Sequence, residues 1–501
     1  MQTEITSVTS DRRRWIALVV VCLGQLMIVL DTTIVNVALP SIQADLGFNQ
    51  ADLTWVINAF LITFGSLLLL AGRLGDLAGR KRVFLAGLVI FTAASLLCGL
   101  APTRGVLIGA RFLQGVGAAA QASVILAIIV TEFPEVAERA RAMSAYVLVS
   151  VAGGSLGLLA GGFLTETLSW HWVFFVNLPI GVIVFALAHA FIRADAGWGL
   201  GHGVDWLGSL LVTVSLMSGI YAIIAASSHG WGSSYVLGFA GLAAVLMAAF
   251  VALEARIENP IMPLRILGVR GLVNASLVRG FLVTGMYSTF FLGTLYLEHV
   301  LHYSALETGA AFLPWTLTVA VLSQGITARL VGRFGQLPVL ATGMATAVVG
   351  LLLFSTVGEG TAFFPTIFFA TFAIGLGIGT AYMPLLTIAM EDVPAADAGL
   401  GSGIANVSQQ LSGALGLAVL STVAASQTKD LVATHHSVTS SLIGGYHLGF
   451  LIGAAAITVG IALAFGLLRP GAQPRALSVA GVRADQEGPV LDADLAMEEA
   501  A

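Results

Sequence analysis

Charged side chains are the scarcest feature of this sequence. Only 10% of its 501 residues are Asp, Glu, Lys or Arg, whereas 57% are hydrophobic, and the mean hydropathy is +0.94. Soluble proteins carry about a quarter of their residues as charges, because their surfaces face water. The shortage excludes a soluble globular protein and indicates that most of the chain lies in a lipid bilayer.

Cysteine and lysine are also rare, and each shortage excludes a class of protein. Cys22 and Cys98 both lie in apolar segments, so a disulfide framework is not indicated. The only lysines are Lys81 and Lys429, and neither follows a glycine. The Gly-Lys-Ser/Thr phosphate loop of an ATP-driven pump is therefore missing from this sequence, although a separate ATPase subunit stays open. The first apolar run is too long for a signal-peptide core and lacks a small-residue cleavage site, so we expect no cleavable signal.

Long apolar runs are what the sequence does have. Backbone groups in hydrocarbon must bond internally, so a membrane protein is built of helices or a closed barrel. Runs of about 20 residues predict helices rather than the short alternating strands of a barrel. Fourteen segments qualify, at residues 15–39, 53–71, 83–101, 105–130, 142–164, 171–192, 206–226, 235–253, 274–297, 308–328, 337–357, 362–389, 400–426 and 445–468.

The basic residues predict how these segments are oriented. With a cytoplasmic N-terminus, 18 of the 22 Lys and Arg fall in tails and loops on the cytoplasmic side, and only Arg104 and Lys429 in loops on the other. Arg111 and Arg279 lie within spans. This asymmetry supports fourteen spans with both termini cytoplasmic. The eighteen are Arg12, Arg13, Arg14, Arg73, Arg80, Lys81, Arg82, Arg139, Arg141, Arg193, Arg256, Arg265, Arg270, Arg329, Arg333, Arg469, Arg475 and Arg483.

An internal repeat predicts the domain organisation. The loop after the second span reads GRLGDLAGR at residues 72–80, and the loop after the tenth reads ARLVGRFG at residues 328–335. The offset pairs spans 1–6 with spans 9–14 and leaves spans 7 and 8 as an insertion. Parallel repeats with a site between the halves occur in secondary transporters. The predicted division is a cytoplasmic tail (1–14), an N-terminal six-helix bundle (15–192), a linker with two inserted helices (193–272), a C-terminal six-helix bundle (273–468) and a disordered cytoplasmic tail (469–501).

Four motifs give the sequence a specific family resemblance. In chain order, they are residues 30–40 (LDTTIVNVALP), residues 72–82, residues 111–118 (RFLQGVGA) and a glycine-rich fifth span. In this order and with this helix count, the chain resembles the 14-helix drug:proton antiporter branch of the major facilitator superfamily. The resemblance implies an all-α membrane fold of two six-helix bundles, a transporter rather than an enzyme, and no cofactor or metal.

Asp31 is the first candidate for proton coupling. An ionised carboxylate within an apolar span costs about 2.5–3.5 kcal/mol, so it needs a basic partner, a wet cavity or a bound proton. A carboxylate that can be neutralised in one state and exposed in another can carry a proton. A helix-end Asp that reaches the headgroups is the alternative interpretation. Thr32 and Asn36 follow on neighbouring faces and are candidates for lining a polar cavity, and the resemblance makes Asp31 the coupling carboxylate.

Arg111 is the second candidate. A guanidinium in the fourth span must point into the bundle or extend to the interface as an anchor. The resemblance implies an interior arginine that acts on nearby carboxylates, with Asp31 as its charge partner. Gln114 lies one turn from Arg111 and is a candidate for lining the cavity, as are Gln409 and Gln410 in the thirteenth span.

The loop at residues 72–82 has both a mechanical and a simpler interpretation. Glycines allow two helices to turn tightly and approach closely, and Asp76 can pair with Arg80 or cap a helix end. The positive-inside rule alone would also explain Arg80, Lys81 and Arg82. The resemblance implies a charge latch between the two halves. The residues expected to form it are Gly72, Arg73, Gly75, Asp76, Gly79 and Arg80.

Glycines recur every fourth residue in the fifth span. Gly153, Gly157 and Gly161, with Gly162 beside them, predict a smooth face for close helix packing. The family motif has a proline after the middle glycine, where this chain has Leu158. The helix bend that a proline causes is therefore not predicted, which weakens the prediction of export.

Glu298 is a third candidate for proton coupling, at the outer end of the ninth span with His299 and His302. A histidine near neutral pKa could help accept protons there, but such groups more often lie among lipid headgroups. A membrane-embedded enzyme would need clustered ligands, and only this group approaches that. Arg279, near the inner end of the same span, is expected to extend to the interface.

The sequence thus predicts proton-coupled efflux of small amphipathic compounds such as drugs, antibiotics and dyes across the cytoplasmic membrane by alternating access. An exporter of lipids or cell-envelope precursors with the same fold is the alternative, because its energetics would be the same. The expected partners are an amphipathic small-molecule or lipid-like substrate, protons and the lipid bilayer. No nucleic acid is expected, and a monomer is expected to suffice.

Overall fold

The computed structural model describes residues 2–48, 53–195, 197, 199, 205–257, 260–435 and 437–468. Within these ranges the secondary structure is helical and contains no β-strand. This agrees with the requirement that backbone groups in lipid bond within their own segment. The predicted tail at residues 469–501 lies outside the described residues.

Fourteen membrane-spanning elements follow one another along the chain, and we number them α1 to α14. They are α1 (Gln2–Leu46), α2 (Trp55–Ala78), α3 (Arg80–Gly99), α4 (Arg104–Glu132), α5 (Val136–Thr167), α6 (Trp172–Phe191), α7 (Trp206–His229), α8 (Ser234–Glu254), α9 (Arg270–His299), α10 (in three segments, Ala305–Ala311, Leu313–Ser323 and Ile326–Phe334), α11 (Gln336–Phe354), α12 (Phe363–Glu391), α13 (Ala398–Ala433) and α14 (Val438–Leu467).

The tenth element is the one that departs from a simple span. In the described part of the chain, thirteen helices are long and apolar enough to cross a membrane, and α10 is broken into shorter pieces. The break before its last segment lies at Gly325, whose φ of 92° is a left-handed conformation that residues with a Cβ rarely adopt. With α10 counted as one interrupted span, the predicted number of fourteen is confirmed.

The two halves of the chain repeat one packing pattern. In the first half α1 packs against α5 and α6, α4 against α2 and α3, and α3 against α6. In the second half α9 packs against α13 and α14, α12 against α10 and α11, and α11 against α14. Each pair in the second half is the corresponding pair of the first, shifted by eight helices. The predicted fold of two six-helix bundles is confirmed.

One repeated helix crossing shows the duplication at the level of atoms. An added Cβ on Gly87 in α3 would lie 2.7 Å from the carbonyl oxygen of Gly117 in α4. An added Cβ on Gly343 in α11 would lie 2.8 Å from the carbonyl oxygen of Gly377 in α12. Both crossings bring two backbones together at glycine, as small residues allow in membranes.

The inserted helices and the inter-half contacts complete the architecture. α7 and α8 pack against each other, and α7 also contacts α2 and α13. The halves meet through α2 and α4 against α13, and through α5 against α10 and α12. We propose the predicted division into two bundles and a linker as the domain organisation, with one adjustment. α1 begins at Gln2, so residues 2–14, predicted as a separate tail, continue that helix.

Candidate functional site

Asp31 and Arg111 form a buried ion pair within the N-terminal half. Arg111 Nη1 lies 2.5 Å from Asp31 Oδ2, and the exposed fractions of the two residues are 1% and 0%. Gln114 bonds both partners, because its Oε1 accepts from Arg111 Nη1 at 2.7 Å and its Nε2 donates to Asp31 Oδ1 at 2.6 Å. The interpretation of Asp31 as a headgroup-reaching residue, and of Arg111 as an interfacial anchor, does not fit this geometry.

Gln114 is part of the ion-pair network. It is fully buried between Asp31 and Arg111, and its role in lining a cavity stays a prediction. Its place in the network follows from helical spacing, since Gln114 lies on the same face of α4 as Arg111, three residues away.

Further contacts fix the guanidinium of Arg111. Its Nε donates to the backbone carbonyl of Val56 in α2 at 2.8 Å. The ring of Phe60 lies 4.6 Å from the guanidinium carbon, and that of Phe174 lies 5.9 Å away. Cation–π contacts in a desolvated site stabilise a positive charge. Arg111 is thus held in place from three sides independently of Asp31.

Two residues of the network were missed from the sequence. Ser95 in α3 and Asn177 in α6 are both fully buried. Ser95 Oγ accepts from Gln114 Nε2 at 2.9 Å, and Asn177 Nδ2 lies 3.4 Å from both Asp31 Oδ1 and Ser95 Oγ. A polar side chain inside an apolar helix was the available signal. The network, defined here as Asp31, Ser95, Arg111, Gln114 and Asn177, draws on four helices of one half.

The glycine face of α5 packs against the part of α1 that carries Asp31. An added Cβ on Gly153 would lie 2.9 Å from a methyl carbon of Val29, and one on Gly161 would lie 3.1 Å from the Cα of Ile34. At Gly157 an added Cβ would overlap the hydroxyl of Thr33. Gly162 is buried beside them. The stripe therefore sets the position of Asp31 through helix contact.

Thr32 and Asn36 lie one turn apart on α1. Thr32 Oγ1 donates to the carbonyl of Val29 at 2.8 Å, and Asn36 Nδ2 donates to the carbonyl of Thr32 at 2.7 Å. Thr32 is half-buried and Asn36 is exposed. Both side chains bond their own helix, so we keep their role in lining a cavity as a prediction.

Asp76 joins the two halves at one end of the helices, where α2 ends and α13 begins. Its Oδ1 accepts from the backbone N–H of Gly399 at 2.8 Å, and its Oδ2 accepts from that of Leu400 at 2.9 Å. These are unpaired N–H groups in the first turn of α13, so a carboxylate from α2 caps a helix of the opposite half. Arg80 Nη2 also contacts Asp76 Oδ1, at 3.2 Å.

Arg73 and Arg80 reach the same end of α13. Arg73 Nη1 lies 3.6 Å from Asp397 Oδ1, and Arg80 Nη2 donates to the carbonyl of Ala395 at 2.5 Å. Asp397 also receives Arg265 Nη2 at 3.1 Å. Asp397 was not singled out from the sequence, because an acidic residue in a cytoplasmic loop has no distinguishing pattern.

The three latch glycines lie at close approaches around these charges. An added Cβ on Gly72 would lie 2.5 Å from the carbonyl oxygen of Gly399, across the half boundary. Gly75 lies against Val124 of α4. Gly79 has a φ of 99°, and the backbone N–H of Arg80 after it donates to Asp195 Oδ2 at 2.9 Å. The structure therefore brings the six predicted latch residues to one junction, at the end of α2 and the start of α13.

Arg279 in the C-terminal half does not extend to the interface as expected. It is 2% exposed, and its Nη2 donates to the backbone carbonyl of Ala405 in α13. The expected span began at residue 274, whereas α9 begins at Arg270. Arg279 thus lies about 13 Å along the helix from its start, and its side chain points into the protein interior rather than toward the helix end.

Gln409 and Gln410 are both half-buried on α13. Gln409 Oε1 accepts from the hydroxyl of Tyr382 in α12 at 2.8 Å. The Cβ of Gln410 lies 3.8 Å from the position that a Cβ on Gly65 of α2 would take. Both residues therefore lie where α13 faces other helices, and their role in lining a cavity stays a prediction.

Glu298 lies apart from the Asp31 network. It is half-buried near the outer end of α9, and no hydrogen bond or ion pair recorded for the described residues joins it to Asp31 or Arg111. In the same part of the chain, no group of three or more His, Cys, Asp and Glu could hold a metal ion. Its proposed place in proton coupling receives no support from contacts.

A comparison of sequences identifies the family. The profile of the Major Facilitator Superfamily matches residues 21–417, which is most of the chain. The chain belongs to the major facilitator superfamily. Members of this superfamily are membrane transporters, which supports the prediction that the chain is not an enzyme.

Curated relatives cover nearly the whole chain. It is 39% identical to the puromycin resistance protein pur8 of Streptomyces alboniger, over 91% of each chain. It is 37% identical to the cephamycin export protein CmcT of Amycolatopsis lactamdurans, over 85% of this chain and 88% of that protein. It is 33% identical to a lincomycin resistance protein of Streptomyces lincolnensis, over 82% and 84%. These relatives fit the drug:proton antiporter branch of the superfamily.

Solved structures agree on the fold. The human organic anion transporter MFSD10 matches with a TM-score of 0.64 at 15% identity, over 90% of this chain and 99% of that one. The proton:xylose symporter XylE matches with a TM-score of 0.61 at 13% identity, over 89% and 95%. At these identities the likeness concerns the fold of this multi-pass membrane transporter.

Proposed function

We propose that this transporter exports small amphipathic compounds, such as antibiotics and dyes, across the cytoplasmic membrane in exchange for protons. The observation that carries the proposal is the fully buried pair of Asp31 and Arg111. The relatives named for antibiotic resistance or export support the cargo class. Asp31 is the proton carrier and Arg111 is its charge partner. Protons and substrate cross the membrane alternately, in opposite directions.

The chemistry of the pair explains why it can respond to a proton. A buried ion pair is stable only while both charges are present, and loss of one partner destabilises a site by about 3–5 kcal/mol. A proton on Asp31 Oδ2 removes the negative charge and leaves Arg111 with Val56, Gln114 and two aromatic rings. Because the Asp31 charge is lost, the network rearranges. The helix α1 packs on the glycine face of α5 and transmits that change.

The cytoplasmic junction provides the second part of the mechanism. Asp76, Arg73 and Arg80 hold α2 against the start of α13, so this end of the transporter is closed in the structure. An inward-open state requires these contacts to separate, because α2 and α13 belong to opposite halves. We therefore assign Gly72, Arg73, Gly75, Asp76, Gly79 and Arg80 to a latch that closes the cytoplasmic side.

The driving force is sufficient for export. One proton entering the cell yields about 2.3 kcal/mol per 100 mV and about 1.4 kcal/mol per pH unit. A substrate gradient of tenfold requires about 1.4 kcal/mol, so one proton sustains at least that. We propose that both termini are cytoplasmic, in line with the basic asymmetry of the loops, and that one chain, which contains both halves, functions as a monomer without a cofactor.

The test is efflux from liposomes with an imposed pH gradient. Purified wild-type protein and the Asp31→Asn variant are reconstituted, and cationic dyes, antibiotics and fluorescent lipids are scanned as cargo. We expect wild-type transport of amphipathic small molecules that responds to the gradient, and none above background for Asp31→Asn. Glu359→Gln, an exposed carboxylate in the loop after α11, is the matched control and should transport normally. Undiminished gradient-driven export by Asp31→Asn would refute the assignment.

The same experiment decides between small-molecule and lipid cargo. A groove of about 570 Å³ lies between α10 and α12 and is lined almost entirely by apolar side chains. Leu317 and Val321 on its wall are 61% and 57% exposed, so the groove opens on the outer surface of the C-terminal half. Its position beside the lipid is the one observation that favours a lipid cargo. If the protein transports fluorescent lipids but neither antibiotics nor dyes, the proposed small-molecule cargo is wrong and a lipid cargo takes its place.

A further inference from the structure

Arg279 is a buried cation to which the described part of the chain supplies no charge partner. It is among the largest fully buried side chains, and only its Nη2 has a hydrogen-bond acceptor, the carbonyl of Ala405. Its Nε and Nη1 are buried and have no hydrogen-bond partner among the residues that the structure describes. None of the ion pairs among the described residues includes Arg279.

The contrast with Arg111 shows that this arrangement is unusual for a membrane interior. Arg111 is equally buried but bonds Asp31, Gln114 and a backbone carbonyl. An uncompensated charge in this environment costs several kcal/mol, and such charges usually mark substrate or ion pathways. The free donors of Arg279 therefore point to an anion that is absent from the chain itself.

The surroundings of Arg279 suit an organic ligand. The ring of Tyr382 in α12 lies 6.0 Å from its guanidinium carbon, and the Tyr382 hydroxyl bonds the half-buried Gln409 of α13. Tyr146 is buried on α5 of the opposite half, and α5 packs against α12, the helix that carries Tyr382. A guanidinium, a phenol ring and an amide are thus linked by contacts within the C-terminal half, on helices of which α12 faces α5 of the other half.

We propose that Arg279 binds the carboxylate of an amphipathic organic acid, and that such acids are part of the cargo. The planar guanidinium offers donors that match a carboxylate, and the rings of Tyr382 and Tyr146 offer apolar faces for the rest of the molecule. This inference rests on the proposed export function and adds a substrate class to it. Access follows from separation of the halves, since Tyr146 and Tyr382 belong to opposite ones.

Direct binding tests the inference with probes that differ at one group. Fluorescein, its methyl ester and the cation ethidium are titrated against the full-length transporter in nanodiscs, with fluorescence anisotropy as readout. We expect wild-type protein to bind the acid at least tenfold more tightly than the ester. A hydrogen-bonded charge contributes about 1.5–3 kcal/mol, so Arg279→Gln should weaken binding of fluorescein by ten- to a hundredfold. It should leave the ester and ethidium within about twofold.

Two further variants keep the result interpretable. Arg279→Lys retains the charge without the planar fork, so it should still prefer the acid, by a smaller factor. Arg333→Gln removes an exposed cation at the end of α10 and should behave as wild type. If size-exclusion chromatography shows that Arg279→Gln does not fold, Arg279→Lys is used in its place. An Arg279→Lys protein that binds the acid no more tightly than the ester contradicts the inference.

The outcomes separate this inference from the proposed function. Wild-type export of ethidium without any preference for fluorescein over its ester overturns the carboxylate site and leaves efflux standing. Equal loss of binding of all three probes in Arg279→Gln also overturns it. Arg279 would then act in the conformational cycle by pairing with a carboxylate of the chain rather than with that of a ligand. Failure of the wild type to export any probe under a pH gradient overturns the efflux proposal, and this inference with it.

Discussion

Asp76 and Gly399 lie on opposite halves of the transporter, and a single hydrogen bond of 2.8 Å from the Gly399 N–H to the Asp76 carboxylate connects them. The second carboxylate oxygen bonds Leu400, so both oxygens are used at one helix terminus. This contact between the halves is a helix cap, which forms only when the halves lie together. Under the proposed latch, we expect the charge on Asp76 to help determine which state the transporter occupies.

Asp76→Asn should shift the transporter toward a state open to the cytoplasm. The amide loses the charge that interacts with the α13 terminus and with Arg80, and such a cap contributes about 1–2 kcal/mol. Spin labels at Arg82 and Arg333, one in each half, would report the change as a longer inter-label distance. Cys22 and Cys98 are buried, which simplifies the labelling.

Asp392→Asn is the control for this measurement, since Asp392 is exposed at the cytoplasmic end of α12. It should leave the distance distribution unchanged. Equal distributions in wild type and Asp76→Asn would show that the cap does not determine the closed state.

Gly157→Ala should impair transport through the contact of α5 with α1. Its new methyl would overlap the hydroxyl of Thr33, and forced overpacking typically costs about 1–3 kcal/mol. Gly154→Ala adds the same methyl one turn back along the helix, where the nearest atom is 3.5 Å away on Phe290. The temperature of thermal unfolding and the rate of efflux should be lower than those of the wild type for Gly157→Ala but not for Gly154→Ala. A similar loss in both variants would mean that the contact with Thr33 of α1 does not explain the effect, because replacing glycine by alanine in itself favours a helix.

Gly325→Ala should destabilise the interrupted tenth span. A left-handed conformation costs a residue with a Cβ about 1–2 kcal/mol, and Gly325 has a φ of 92°. Gly332→Ala lies within the following helical segment, has no atom near its added Cβ, and should be neutral or slightly stabilising. The difference between their unfolding temperatures measures the strain. A Gly325→Ala protein as stable as wild type would show that the span is not fixed in this interruption.

The sequence was sufficient for the parts that rest on general rules of membranes. Hydropathy and basic asymmetry predict the fourteen spans, and Asp31 and Arg111 stand out because an intramembrane charge requires a partner. Ser95 and Asn177 could not be predicted, because a sequence does not show which face of a helix meets the network.

The errors also have physical causes. Arg279 was placed at the interface because the start of α9 was set four residues too late. The role of Asp397 follows only from the fold, which places its carboxylate between Arg73 and Arg265. Each error concerns the depth or the rotation of a side chain, which depends on tertiary packing.

Proton movement coupled to cargo is the most direct test of the central claim. Liposomes that contain the transporter and a pH-sensitive dye are given a substrate gradient without an imposed pH gradient, and the lumenal pH is followed. We expect wild-type protein and Glu359→Gln to move protons against the substrate flow, and Asp31→Asn to move none above the background of empty liposomes. Substrate-driven proton movement by Asp31→Asn at the wild-type rate would contradict the account.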